Sequence, residues 1–81
     1  MKLPFRNYLA TPLIILIEPD CEQYEIAAGG EGVVTLDDGH PHSIEVYPDQ
    51  RITIWNEGPR PAAVELRGQD QSSYPRRRLV D

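Results

Sequence analysis

SIEVYPDQRITIW, residues 43–55, decides the fold. Ile44 and Val46 alternate with Ser43, Glu45 and Tyr47, and Ile52 and Ile54 alternate with Arg51, Thr53 and Trp55. A period of two is the signature of a strand with one buried face. Between the two runs stands Pro48-Asp49. Proline presets φ at the second position of a tight turn, so the two runs read as one hairpin. Ile44, Val46, Ile52 and Ile54 then face inward, while Arg51, Thr53 and Trp55 face out.

The same grammar extends outward from this hairpin. Downstream, Asn56-Glu57-Gly58-Pro59 breaks the chain, and residues 62–67 form a last strand with Ala62, Val64 and Leu66 on one face. Upstream, Asp37-Asp38-Gly39 is a turn that closes a short strand at 32–36, and Gly29-Gly30 is another, since glycine adopts positive φ without strain. Residues 22–27 alternate, with Tyr24 and Ile26 on one face. Leu13 to Ile17 is apolar at every position, which places it at the centre of the sheet system or under cover on both faces. Glu18-Pro19-Asp20 stops it, and residues 3–8 supply a first strand. No stretch shows the apolar spacing of an amphipathic helix, and eight prolines leave little room for one.

The expectation is therefore all-β: a small antiparallel β-sandwich or barrel of six to seven short strands. Its single domain covers 1–67, followed by a polar, mobile tail at 68–81. The expected core is Leu13, Ile15, Ile17, Tyr24, Ile26, Val34, Leu36, Ile44, Val46, Ile52, Ile54, Val64 and Leu66.

Charge narrows the function. The chain carries 13 acidic and 8 basic residues, a net charge of −5, and the acidic surplus lies within 1–67. An acidic body is repelled by phosphate backbones, which argues against nucleic acid as a partner. The longest early apolar run, Leu13 to Ile17, is too short for a signal-peptide core or a membrane span. One cysteine, Cys21, permits no internal disulfide, so a cytoplasmic setting is expected.

Trp55 is the residue that points to a function. Strand alternation turns it outward beside Arg51 and Thr53, and tryptophan with arginine is the composition of interface hot spots. The pattern reads as a non-catalytic binding or assembly module whose partner is another protein or a second copy of the chain, as in a homodimer, with no cofactor and no membrane. The alternative is a metal site. Gly39, His40, His42 and Glu45 are similar to the glycine, His-x-His and glutamate of the cupin family, which would imply a small metal-binding protein. Asp38-Gly39 before them and Pro41 between them argue instead for solvated turn residues, because proline cannot donate a ladder hydrogen bond. Glu18, Asp20, Glu22 and Glu25 lack the oxygen spacing of a calcium loop, and Cys21 among these acids is poorly placed to ionise. Arg76-Arg77-Arg78 reads as a solubilising tail that is also suited to an acidic surface.

The order of Asn7, Pro12, Leu13, Ile15, Ile17, Glu18, Pro19, Tyr24, Ile26, Gly29 and Gly30 resembles a group of short bacterial all-β proteins of uncharacterised function. In these an apolar strand ends in Glu-Pro, and a Tyr-x-Ile strand then runs into a glycine turn. The resemblance implies a small β fold and brings no activity with it.

Overall fold

The structure, a computed structural model, describes residues 1–67 and the backbone of 76–78. It is all-β, with eight strands in two facing sheets: β1 (Lys2–Arg6), β2 (Leu13–Glu18), β3 (Glu22–Ile26), β4 (Glu31–Thr35), β5 (His42–Tyr47), β6 (Arg51–Asn56), β7 (Ala63–Arg67) and β8 (Arg76–Arg78). One sheet has the order β1-β4-β7 and the other β5-β6-β2-β3-β8. The chain alternates between them, laying one strand in the small sheet and then a hairpin in the large one, twice over, before β7 and β8. The expected sandwich is present. Of the expected tail, Arg76–Arg78 pairs with β3 as an edge strand, and the rest lies outside the described residues.

One pairing departs from an antiparallel sandwich. β2 and β6 run parallel, with Ile15 beside Ile52 and Ile17 beside Ile54. Four chain reversals separate them, and an even number returns the chain to its first direction. β2 is thereby flanked by β3 and β6 at the centre of the large sheet, which accounts for its unbroken apolar run.

The core sits where the two sheets overlap. Leu13, Ile15 and Ile17 of β2, Tyr24 and Ile26 of β3, and Ile54 of β6 pack against Val34 and Leu36, with Leu3, Phe5, Ile52, Val64 and Leu66 partly buried around them. Burying one such side chain stabilises the fold by about 1.5–3 kcal/mol. The sheets approach so closely at Gly32 that a β-carbon there would lie 3.0 Å from Cδ1 of Ile26.

Two buried asparagines guide the chain between sheets. At the β1–β2 crossover, Asn7 donates from Nδ2 to the carbonyls of Thr11 and Ile26, both at 2.9 Å, and its Oδ1 accepts the Leu9 N–H at 2.8 Å. At the β6–β7 crossover, Asn56 donates to the Arg60 carbonyl at 2.9 Å and accepts the Gly58 N–H at 3.1 Å. The local pattern is identical: acceptor to residue i+2, donor to residue i+4, and proline at i+5, here Pro12 and Pro61. Proline confines the residue before it to extended conformations, which holds each i+4 carbonyl in place. The side-chain amide substitutes for the ladder that the backbone leaves as it changes sheet.

The hairpin at 43–55 forms as expected, Ile44 opposite Ile54 and Tyr47 opposite Arg51. Its loop of residues 48–50 ends with Gln50 at φ 64°, the left-handed residue that closes a three-residue hairpin. Two expected core residues are not in the core. Ile44 and Val46 lie on the inward side of the sheet, yet Ile44 is 44% exposed and Val46 77% exposed. The cause is the unequal width of the sheets. Five strands face three, and β5, at the end of the wider sheet, overhangs with no strand opposite it among the described residues.

Candidate functional site on the outer face of the large sheet

The outer face of the large sheet follows from register. Pairing sets Leu16, Thr53 and Glu45 in one row across β2, β6 and β5. The adjacent rows are Ile14, Arg51 and Tyr47 on one side and Glu18, Trp55 and Ser43 on the other. Trp55 is 38% exposed, as its alternation requires. Its indole N–H donates to Oε1 of Glu45 at 3.2 Å, and the Tyr47 hydroxyl donates to the same oxygen at 2.9 Å. One carboxylate thus ties two aromatic rings across neighbouring strands. That hydrogen bond, reinforced by the negative charge of Glu45, raises the pKa of the Tyr47 phenol above its ordinary value.

Arg51 lies over the Tyr47 ring, 4.4 Å from its centroid, a cation–π contact. Its Nε is covered without a hydrogen-bond partner and stands 3.7 Å from the Asp49 carboxylate. Thr53 shares the outer face with Trp55 as expected, but it is only 5% exposed. It sits in the middle row, and the larger side chains of Leu16, Glu45, Arg51 and Trp55 on its four sides close over it. Thr53 is therefore a floor beneath the outer face and is not exposed on it. Glu45 and Tyr47 complete the surface; they alternate with Ile44 and Val46, and this was the signal that identifies them.

The structure does not assemble the metal site. His40 lies in the turn before β5, and His42 opens the strand on the side of Ile44. Glu45 is three residues from His42, hence on the opposite face, where it is engaged by Tyr47 and Trp55. Among the described residues no three histidine, cysteine, aspartate or glutamate side chains converge as metal ligands. The acidic cluster is drawn into local bonds: Tyr24 donates to Glu22 at 2.8 Å, and the Cys21 thiol to Glu18 at 3.6 Å.

A concavity of about 360 Å³ opens between Thr35, Asp37, Arg60 and Pro61. Its polar groups already serve the crossover, since Arg60 holds Asp37 by an ion pair at 2.8 Å and by its backbone N–H at 3.2 Å. No described helix is long and apolar enough to cross a membrane. No family model, curated protein or solved structure matches the chain.

Proposed function

We propose that this chain is a non-catalytic binding or assembly module of the cytoplasm that meets another protein through the outer face of β5 and β6. The observation that carries the reading is Trp55. It stands exposed at one end of an outer face that Glu45 and the Tyr47–Arg51 pair continue, and its one polar atom is already satisfied by Glu45. Such an aromatic surface, fixed in orientation before contact, loses little side-chain entropy on binding. Tryptophan, tyrosine and arginine are the residues in which interface energy concentrates.

Trp55→Ala tests it. Protein partners captured from the native host by the wild-type chain should bind the variant more weakly by about 2 kcal/mol or more, with thermal stability little changed. Unchanged capture would reject the face. So would a variant that unfolds while both forms sediment as monomers, because Trp55 would then serve the fold alone.

A further inference from the structure

We propose that β5 pairs with β5 of a second copy, antiparallel about a twofold axis, and joins the two large sheets into one. This deepens the reading of the chain as an assembly module and names the partner as itself. The argument begins with how the molecule treats its sheet edges. Exposed edges invite pairing, and proteins block them with prolines and charges. β1 carries Lys2, Pro4 and Arg6; β7 carries Glu65 and Arg67; β8 is three arginines. The fourth edge, β5, has no proline, lysine or arginine in its six residues, and its only charge is Glu45. It also carries the most exposed aliphatic side chain of the core-facing surface, Val46, with Ile44 beside it.

Self-pairing is a question of register, and the sequence answers it. Antiparallel pairing about an axis perpendicular to the sheet places residues of the same face opposite each other. Two registers overlap β5 with itself over five residues. One sets Glu45 against Glu45 of the second copy, and like charges directly opposite repel. The other sets Ile44 against Ile44 on the axis, His42 against Val46, and Ser43 against Glu45. In this register Ile44 meets Ile44, Val46 meets the imidazole of His42, and the carboxylate faces a hydroxyl donor; the register with Glu45 on the axis would bring Ile44 to Val46, but only by setting two carboxylates together. The other edges fail the same test. In its fullest register β1 would put Lys2 against Arg6 and Pro4 against Pro4, and β7 would put Glu65 against itself. β5 is thus self-complementary in charge, in a chain whose net charge of −5 otherwise keeps copies apart.

The paired state explains the overhang. Ile44 and Val46 from both copies then form one apolar strip along the joint, beside the depression of about 230 Å³ lined by Leu9, Leu13, Val46 and Ile52. On the opposite side, Ser43 stands beside Trp55 in its own chain and opposite Glu45 in the next, so the two outer faces become continuous. Closure is complete, because the twofold leaves no second β5 edge free.

The experiment uses the full chain and three variants. Wild type should sediment as a dimer that dissociates on dilution. Ile44→Lys, which sets two lysines together on the axis, should sediment as a monomer at every concentration with an unchanged circular dichroism spectrum. Under mild oxidation Ile44→Cys should form a disulfide-linked dimer, and Val46→Cys should not, because the two residues 46 lie about 13 Å apart along paired strands. A wild-type monomer at all concentrations, or a dimer indifferent to Ile44→Lys, overturns the proposal. Cross-linking through residue 46 in preference to 44 overturns the register and the charge argument with it. A monomer that still captures a host protein through Trp55 sinks self-pairing and leaves the outer-face reading standing.

Discussion

Ile15 and Ile17 of β2 and Ile44 and Val46 of β5 point to the same face of the same sheet. The first pair is buried, and the second is largely open to solvent. The two runs differ locally, since β2 is apolar at every position while β5 alternates with polar residues, but alternation alone does not foretell that the inward side of β5 is open. The difference is what lies opposite: β2 faces the three-stranded sheet, while β5 runs past its border. Alternation in a strand identifies its inward side. Whether that side is covered depends on the relative width of the two layers, which is a property of the whole chain.

The largest effect should come from setting these regions against each other. Ile17→Ala leaves a cavity in the core beside Ile15 and Ile54 and should destabilise by about 2–5 kcal/mol. Ile44→Ala, measured by denaturant unfolding at a protein concentration where the chain is monomeric, should cost well under half as much. Equal losses would mean that β5 is covered in solution, and the contrast between the two regions would collapse.

The next effect concerns the crossovers that set the layer widths. Asn7→Ala removes a buried amide that serves four backbone groups, the Thr11, Ile26 and Ala27 carbonyls and the Leu9 N–H. A loss of about 1–3 kcal/mol is expected, with Asn7→Asp no better, because a carboxylate cannot donate to the Thr11 and Ile26 carbonyls. A tolerated Asn7→Ala would show that these carbonyls find other donors and that the clamp is incidental.

Much of this architecture was legible from the residues. The 43–55 hairpin followed from alternation and Pro48-Asp49, and the central place of β2 from an apolar run without a polar face. The outward position of Trp55 followed from the hairpin phase alone. Three features were not legible, each for a physical reason. The parallel β2–β6 pair depends on counting reversals between sheets, which local pattern does not encode. The burial of Thr53 arises from side chains on two other strands. The exposure of Ile44 and Val46 arises because the described residues set no strand of the narrower sheet opposite them. Pro41 already argues against a metal site at His40, His42 and Glu45, and a spacing of three along a strand adds that the second histidine and the glutamate lie on opposite faces. A signal for the crossovers was present in Asn7 with Pro12 and Asn56 with Pro61. It becomes readable once the two loops are seen to share one hydrogen-bond pattern.

The smallest effect sharpens the outer side of β5. Tyr47 and Trp55 are joined only through Oε1 of Glu45, so that carboxylate should be detectable in both rings. In the folded chain the pKa of the Tyr47 phenol is raised above its ordinary value of about 10, first by its hydrogen bond to Glu45 and then by the negative charge of that carboxylate. The sign follows from this. The neutral phenol is the form the fold favours, so its contribution is fully present below that ordinary value and disappears as pH climbs through the raised one. Glu45→Ala removes both the acceptor and its negative charge. Ultraviolet titration of the phenolate should show Tyr47 ionising at lower pH in the variant than in wild type, and the emission of the sole tryptophan should change with it. Stability at neutral pH should move by no more than about 0.5 kcal/mol, since the group lies at the surface. A phenolate titration identical in the two proteins would mean that Glu45 does not tie the rings together. The surface would then be an adjustable one rather than a face held ready for contact.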